Sequence, residues 1–241
     1  MLSRVESVET PEGSFDLTVW LPGVGTGPGL LLIQEIFGVG DYIRAVADDL
    51  AGLGYVVAAP DLFWRLKPGH RAGHDQDGLA ESLDLASRFD VGQGVADAAA
   101  ALGRLAALPE VSGGIGIIGF CLGGSIAYLV AAQAEPAAVV SFYGSGIPDS
   151  LDVLERIGRP LQLHFGGSDP YIPREQVTRV EEAVAGRPNV EIHVEEDAGH
   201  AFHNRMAPMF YLPEPAARAW RHTEEFLRRH LPAGDGTSAK S

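Results

Sequence analysis

Gly114-Ile115-Gly116-Ile117-Ile118-Gly119-Phe120-Cys121-Leu122-Gly123-Gly124 decides how this chain folds. Ile115, Ile117 and Ile118 form a short apolar run, the mark of a strand buried on both faces. The next residues, Ser125-Ile126-Ala127-Tyr128-Leu129-Val130-Ala131-Ala132, read as a helix with small side chains against a sheet. Cys121 therefore falls on a sharp strand-to-helix turn. This is the nucleophile-elbow pattern G-x-S-x-G with sulfur in place of oxygen. Gly119 and Gly123 let strand and helix approach closely, and the residue between them can take a strained backbone. The helix N-terminus aims free N–H groups and partial positive charge at Cys121, which favours thiolate and a developing oxyanion. A small buried hydrophobe, the usual role of a lone cysteine, fits the same residue. The elbow therefore needs a base and an acid from elsewhere in the chain.

Working outward, buried strands alternate with helices. Strands are expected at 14–21, 30–33, 55–59, 137–142, 161–165 and 190–194. Helices are expected at 41–52, 79–89, 95–105, 151–157, 174–185 and 215–231. This order predicts an α/β fold, a mostly parallel sheet covered by helices on both faces. A single domain over 1–233 and a polar tail over 234–241 follow, since no linker or repeat divides the chain. In such sheets the chemistry lies beyond the carboxyl ends of the strands.

Composition narrows the function. At 241 residues the chain can bury a large core. A net charge of −14 argues against nucleic acid and anionic membranes as partners. The single cysteine excludes an internal disulfide and fits a reducing compartment. The first 13 residues lack the apolar core of a signal peptide, and no apolar run spans a bilayer. A cytoplasmic, soluble protein is expected.

Three polar residues lie just past predicted strand ends: Cys121, Asp169 and His200. Nucleophile, acid, histidine is the chain order of α/β-hydrolases. Asp169 would fix the imidazole tautomer, His200 would move the thiol proton, and Cys121 would attack a carbonyl. Taken alone, Asp169 also fits a turn or cap and His200 an ordinary loop histidine. Their joint placement favours catalysis. Glu35 also follows a strand and places Ile36 where α/β-hydrolases recruit an oxyanion-hole N–H; the Leu122 N–H would be the second donor. A carboxylate is unfavourable beside an oxyanion hole, which argues for a function for Glu35.

With these residues in view, the chain resembles the dienelactone hydrolase family over nearly its whole length. The resemblance is carried by Gln34-Glu35-Ile36-Phe37-Gly38, Pro60-Asp61-Leu62, Phe89-Asp90, Gly119-Phe120-Cys121-Leu122-Gly123-Gly124, Gly166-Gly167-Ser168-Asp169 and Ala198-Gly199-His200. It implies a Cys-His-Asp triad on an α/β-hydrolase fold, with no cofactor. It also implies that Glu35 contacts the resting thiol and is freed by substrate to take its proton. Two family arginines that hold a substrate carboxylate are missing: Leu79 and Asn204 stand in their places, with Arg205 one residue beyond. Leu83 and Ala86 replace an aromatic pair on the same helix. Arg205 could substitute for the second arginine through a one-residue loop shift.

Phe37, Trp64, Tyr171 and Phe202 fit either an acyl pocket or core packing. His70 and His74, with Asp75 and Asp77, are better read as a solvated loop than as a metal site, and no metal is expected. His203 has no elbow or acid of its own. The expected function is cofactor-independent hydrolysis of a small ester or lactone through an acyl-thioester, by a monomer or weak homodimer. The rival is a non-hydrolytic thiol sensor of peroxides or electrophiles on the same scaffold.

Overall fold

The computed structural model describes residues 2–233, so the predicted polar tail lies outside the described residues. The strands are β1 (Ser3–Thr10), β2 (Gly13–Trp20), β3 (Gly27–Ile33), β4 (Val56–Pro60), β5 (Val111–Phe120), β6 (Ala138–Phe142), β7 (Leu161–Gly166) and β8 (Val190–Glu195). The helices are α1 (Asp41–Gly52), α2 (Gln76–Arg88), α3 (Val91–Ala106), α4 (Leu122–Ala131), α5 (Arg174–Val184) and α6 (Pro213–His230). All eight strands join one sheet in the order β1-β2-β4-β3-β5-β6-β7-β8. β1, β2 and β4 pair antiparallel, and β4-β3-β5-β6-β7-β8 run parallel.

Every residue of β3, β4, β6 and β7 is buried, so both faces of the central sheet are covered. The apolar runs expected to be two-sided strands fold that way. Chain order reverses at β3, which has β4 on one side and β5 on the other. The crevice beyond their carboxyl ends is the topological switch point, where open α/β sheets bind ligands. Glu35 follows β3 there, and Cys121 follows β5.

Helix starts lie ahead of the apolar periodicity that predicts them. Asp75 caps α2 by accepting the Gly78 N–H at 2.8 Å, and Asp90 caps α3 by accepting the Gln93 N–H at 3.0 Å. The predicted helix at 151–157 is a 3-10 helix, Leu151–Arg156. β1 is an added strand at the sheet edge, in register with β2 from Ser3↔Trp20 to Thr10↔Gly13. The long loop after β4 is not solvated as expected. Asp61 accepts the Phe63 and Gly69 N–H groups and pins it to the sheet end. His70 is buried, with Nε2 3.2 Å from the Ser82 hydroxyl. Among the described residues, no three His, Cys, Asp or Glu side chains are grouped to hold a metal ion, and no helix is long and apolar enough to cross a membrane.

Candidate active site

The elbow is built by backbone contact. A Cβ on Gly119 would collide with the Gly123 carbonyl, and one on Gly123 with the carbonyls of Ile33 and Gln34. Only glycine at both positions lets β5 turn directly into α4 beneath the end of β3. Cys121 pivots between them at φ 55° and ψ −115°, a left-handed conformation unfavourable for a side chain. Its N–H donates to the Phe142 carbonyl at 3.0 Å, and its carbonyl accepts the Ser125 N–H of the first helical turn. These two bonds hold the strained residue. The strain turns the sulfur out of the core and into a cavity.

Asp169 and His200 are brought to that sulfur from loops after β7 and β8. His200 Nε2 lies 3.0 Å from Cys121 Sγ, and His200 Nδ1 lies 2.7 Å from Asp169 Oδ2. The other carboxylate oxygen, Oδ1, accepts the Tyr171 N–H at 2.8 Å and the Ile172 N–H at 3.3 Å. Asp169 is 4% exposed, so its orientation is set by the loop and not by water. Burial by itself lowers the affinity of the His200 ring for its proton. The Cys121 sulfur and the Asp169 carboxylate outweigh that cost and push the ring up to about 10. The imidazole is therefore cationic at neutral pH, beside sulfur on one side and carboxylate on the other.

The cavity above the sulfur measures about 200 Å³. Glu35, Ile36, Phe37, Leu79, Leu83 and Tyr171 line it with Cys121 and His200, and no lysine or arginine does. Leu122 is the first residue of α4, so its N–H has no intrahelical acceptor. Three residues expected at the substrate are elsewhere. Trp64 donates from Nε1 to Asp97, stacks on Phe15 and does not line the cavity. Phe202 is fully buried and packs edge-on against Tyr143. Arg205 pairs with Asp49 of α1 at 2.6 Å and does not line the cavity. Ala86 does not line the cavity either.

Glu35 departs from what the resemblance implies. Its carboxylate is almost fully buried, Oε2 accepts from Asn204 Nδ2 at 2.9 Å, and Oε1 has no hydrogen-bond partner among the described residues. It makes no hydrogen bond to the thiol. Asn204 Oδ1 accepts the Met206 N–H at 2.9 Å, which fixes the amide the right way round. Its Nδ2 therefore serves both Glu35 and His74 Nε2, the latter also at 2.9 Å. His74 packs against Phe37 with ring centroids 4.3 Å apart and planes tilted by 48°, and sits 3.8 Å from Glu35 Oε2. A neutral amide and an imidazole thus face the Glu35 carboxylate. His74 comes from the loop expected to be solvated, 130 positions before Asn204, and no local pattern links the two.

Two tyrosines unforeseen from sequence lie behind the site. Tyr143 follows β6 at φ 40° and packs 5.1 Å from the His200 ring. Its hydroxyl meets that of Tyr42 at 3.4 Å, and Tyr42 meets His203 Nδ1 at 2.7 Å. Burial raises both phenols well above the ordinary tyrosine range.

The description "Dienelactone hydrolase family" matches residues 16–231 of the chain. A carboxymethylenebutenolidase from Pseudomonas sp. (strain P51) is 34% identical over 236 residues, covering 97% of this chain and 98% of the relative. A carboxymethylenebutenolidase from Pseudomonas putida is 31% identical over 229 residues, covering 94% and 97%. Among solved structures, a putative dienelactone hydrolase from Klebsiella pneumoniae superposes with a TM-score of 0.80 at 26% identity, covering 95% of this chain and 98% of that one.

Proposed function

Since the chain belongs to the dienelactone hydrolase family and is a hydrolase of the α/β-hydrolase fold, we propose that it cleaves uncharged small esters or lactones through an acyl-thioester on Cys121. The observation that supports this most is the Cys121–His200–Asp169 chain, at 3.0 and 2.7 Å, under a cavity that no lysine or arginine lines.

The thiolate of Cys121 attacks the substrate carbonyl carbon, and the carbonyl π electrons move onto oxygen. The N–H groups of Ile36 and Leu122 are the donors for that oxyanion. As the intermediate collapses, the C–O bond breaks and His200 Nε2–H protonates the leaving oxygen. In a lactone that oxygen stays tethered as a hydroxyl. The now neutral His200 takes a proton from water, the hydroxide attacks the thioester, and the thiolate leaves as the product acid forms. Asp169 holds the ring with its proton on Nδ1 throughout. No cofactor enters the scheme. Phe37 and Tyr171 border the acyl group, and Glu35 forms one wall, held off the sulfur by Asn204.

Leu79 and Leu83 decide the substrate's charge. A carboxylate placed against them would lose water without gaining a donor, and each missing charge-assisted hydrogen bond is worth about 1.5–3 kcal/mol. A reduced lone cysteine fits a cytoplasmic enzyme. The test compares kcat/KM for a carboxylate-bearing lactone and its neutral methyl ester, in wild type and Cys121→Ala. The neutral ester should be at least as good a substrate, and Cys121→Ala should be inactive on both. A strong preference for the anion, or full activity in Cys121→Ala, would overturn the assignment.

A further inference from the structure

Behind the Cys121 cavity lies a second depression of about 160 Å³, lined by His203, Arg205, Tyr211, Ala216, Ala217 and Trp220. It shares no lining residue with the first. We propose that this depression is a binding site for a small planar monocarboxylate.

Its polar side chains offer N–H and O–H donors, and the Tyr211 hydroxyl alone can also accept. Tyr143 is fully buried, and its hydroxyl has one neighbour to donate to, the Tyr42 oxygen. Tyr42 must then donate onward, to His203 Nδ1 at 2.7 Å. That leaves the His203 ring proton on Nε2, where it has no acceptor among the described residues. Burial, aided by Arg205, pushes the ring down to about 3, so it adds no charge of its own at neutral pH. Arg205 uses Nη1 for Asp49 Oδ2 at 2.6 Å. Its Nε and Nη2 have no partner among the described residues. The Trp220 indole N–H and the Tyr211 hydroxyl are likewise without acceptors there. No acidic side chain lines the depression. In a chain of net charge −14, a hollow lined by a guanidinium, two ring N–H groups and a hydroxyl, with no carboxylate, suits an anion.

The class of anion follows from charge and shape. The Nε/Nη2 edge of a guanidinium presents two parallel N–H groups, the match for one carboxylate. A dianion such as phosphate would bring a second charge near Asp49 with no second cation to meet it. Trp220 stacks on His203 with centroids 5.1 Å apart, and Tyr211, Ala216 and Ala217 complete an apolar wall for a flat body.

The probe is benzoate, with benzamide as its neutral counterpart. The whole protein is alkylated at Cys121 first, to obstruct the other cavity. Binding is read from the Trp220 indole N–H resonance, assigned with Trp220→Phe. Saturable binding with Kd of about 1 mM or tighter is expected, with benzamide at least about ten-fold weaker. Arg205→Gln should weaken benzoate about ten-fold or more. Arg205→Lys keeps the charge and an ion pair with Asp49 but not the two-pronged edge, and should still weaken it several-fold. Absence of saturation, equal binding of benzamide, or unchanged affinity in either variant that unfolds at the wild-type temperature would overturn the site.

Discussion

Asp169→Asn should reduce kcat/KM about 10³- to 10⁴-fold, because the loop dictates which way the amide faces. Oδ1 of Asp169 accepts two backbone N–H groups, from Tyr171 and Ile172. In the variant only the amide oxygen can fill that position, since an NH₂ would face two donors. The amide nitrogen is then turned toward His200 Nδ1, where the carboxylate oxygen stood at 2.7 Å. It donates, so Nδ1 must accept and the ring proton moves to Nε2. A neutral ring in that tautomer cannot take the thiol proton, and it loses the carboxylate that helped keep it cationic. In serine triads the same inversion costs about 10⁴ in kcat, or roughly 5.5 kcal/mol. A thiol ionises more readily than an alcohol, which sets the lower bound. The stability cost should be much smaller, about 1–3 kcal/mol, as one charge-assisted hydrogen bond is replaced by a neutral one. Stopped-flow hydrolysis of a neutral aryl ester gives the rate, and urea unfolding gives the stability. A variant within ten-fold of wild type would show that Asp169 serves the turn alone, and the tautomer argument would fail.

Leu79→Arg should restore a cation to the mouth and lower KM for a carboxylate-bearing ester about ten-fold while leaving its neutral analogue within three-fold, measured by initial rates. Asn204→Leu removes the donor to Glu35 Oε2 in a buried site, so thermal unfolding should show a loss of about 1–3 kcal/mol that Glu35→Gln in the same chain largely relieves. The rate should fall as pH rises through about 10, where His200 gives up its proton; a pH profile of kcat/KM in which this alkaline limb is missing would contradict the cationic ring. His203 works in the opposite direction. Its folded value, about 3, lies below the ordinary 6.5, so its stabilisation is complete above 6.5 and is lost as pH falls toward 3, by up to about 4 kcal/mol; acid titration of His203→Phe should flatten that loss.

Much of the fold was legible because the deciding residues are local. Ile117 and Ile118 are buried on a strand, and the glycines beside Cys121 make the turn their spacing implies. Asp169 and His200 could be placed because strand ends in a parallel sheet converge. β1 was not legible. Val8 faces the core while Val5 is 58% exposed, so the segment has too few apolar positions to show alternation, and its pairing with β2 decides its state. Asn204 and His74 were opaque for a different reason. Their roles come from a meeting across 130 positions, fixed by the Met206 N–H, and neither residue carries a local signature. Arg205 was misplaced because its neighbour in sequence, Asn204, turns inward to Glu35 while Asp49 of α1 holds the guanidinium elsewhere.

The central claim is that the acyl group passes through Cys121 sulfur. Acid-quenching the enzyme within the first turnover of a neutral aryl ester, followed by mass spectrometry of the peptide containing Cys121, tests it most directly. One acyl group should be found on Cys121 in the wild type, and none at position 121 in Cys121→Ala. Rapid product release with Cys121 unmodified at every quench time, and turnover persisting in Cys121→Ala, would contradict it.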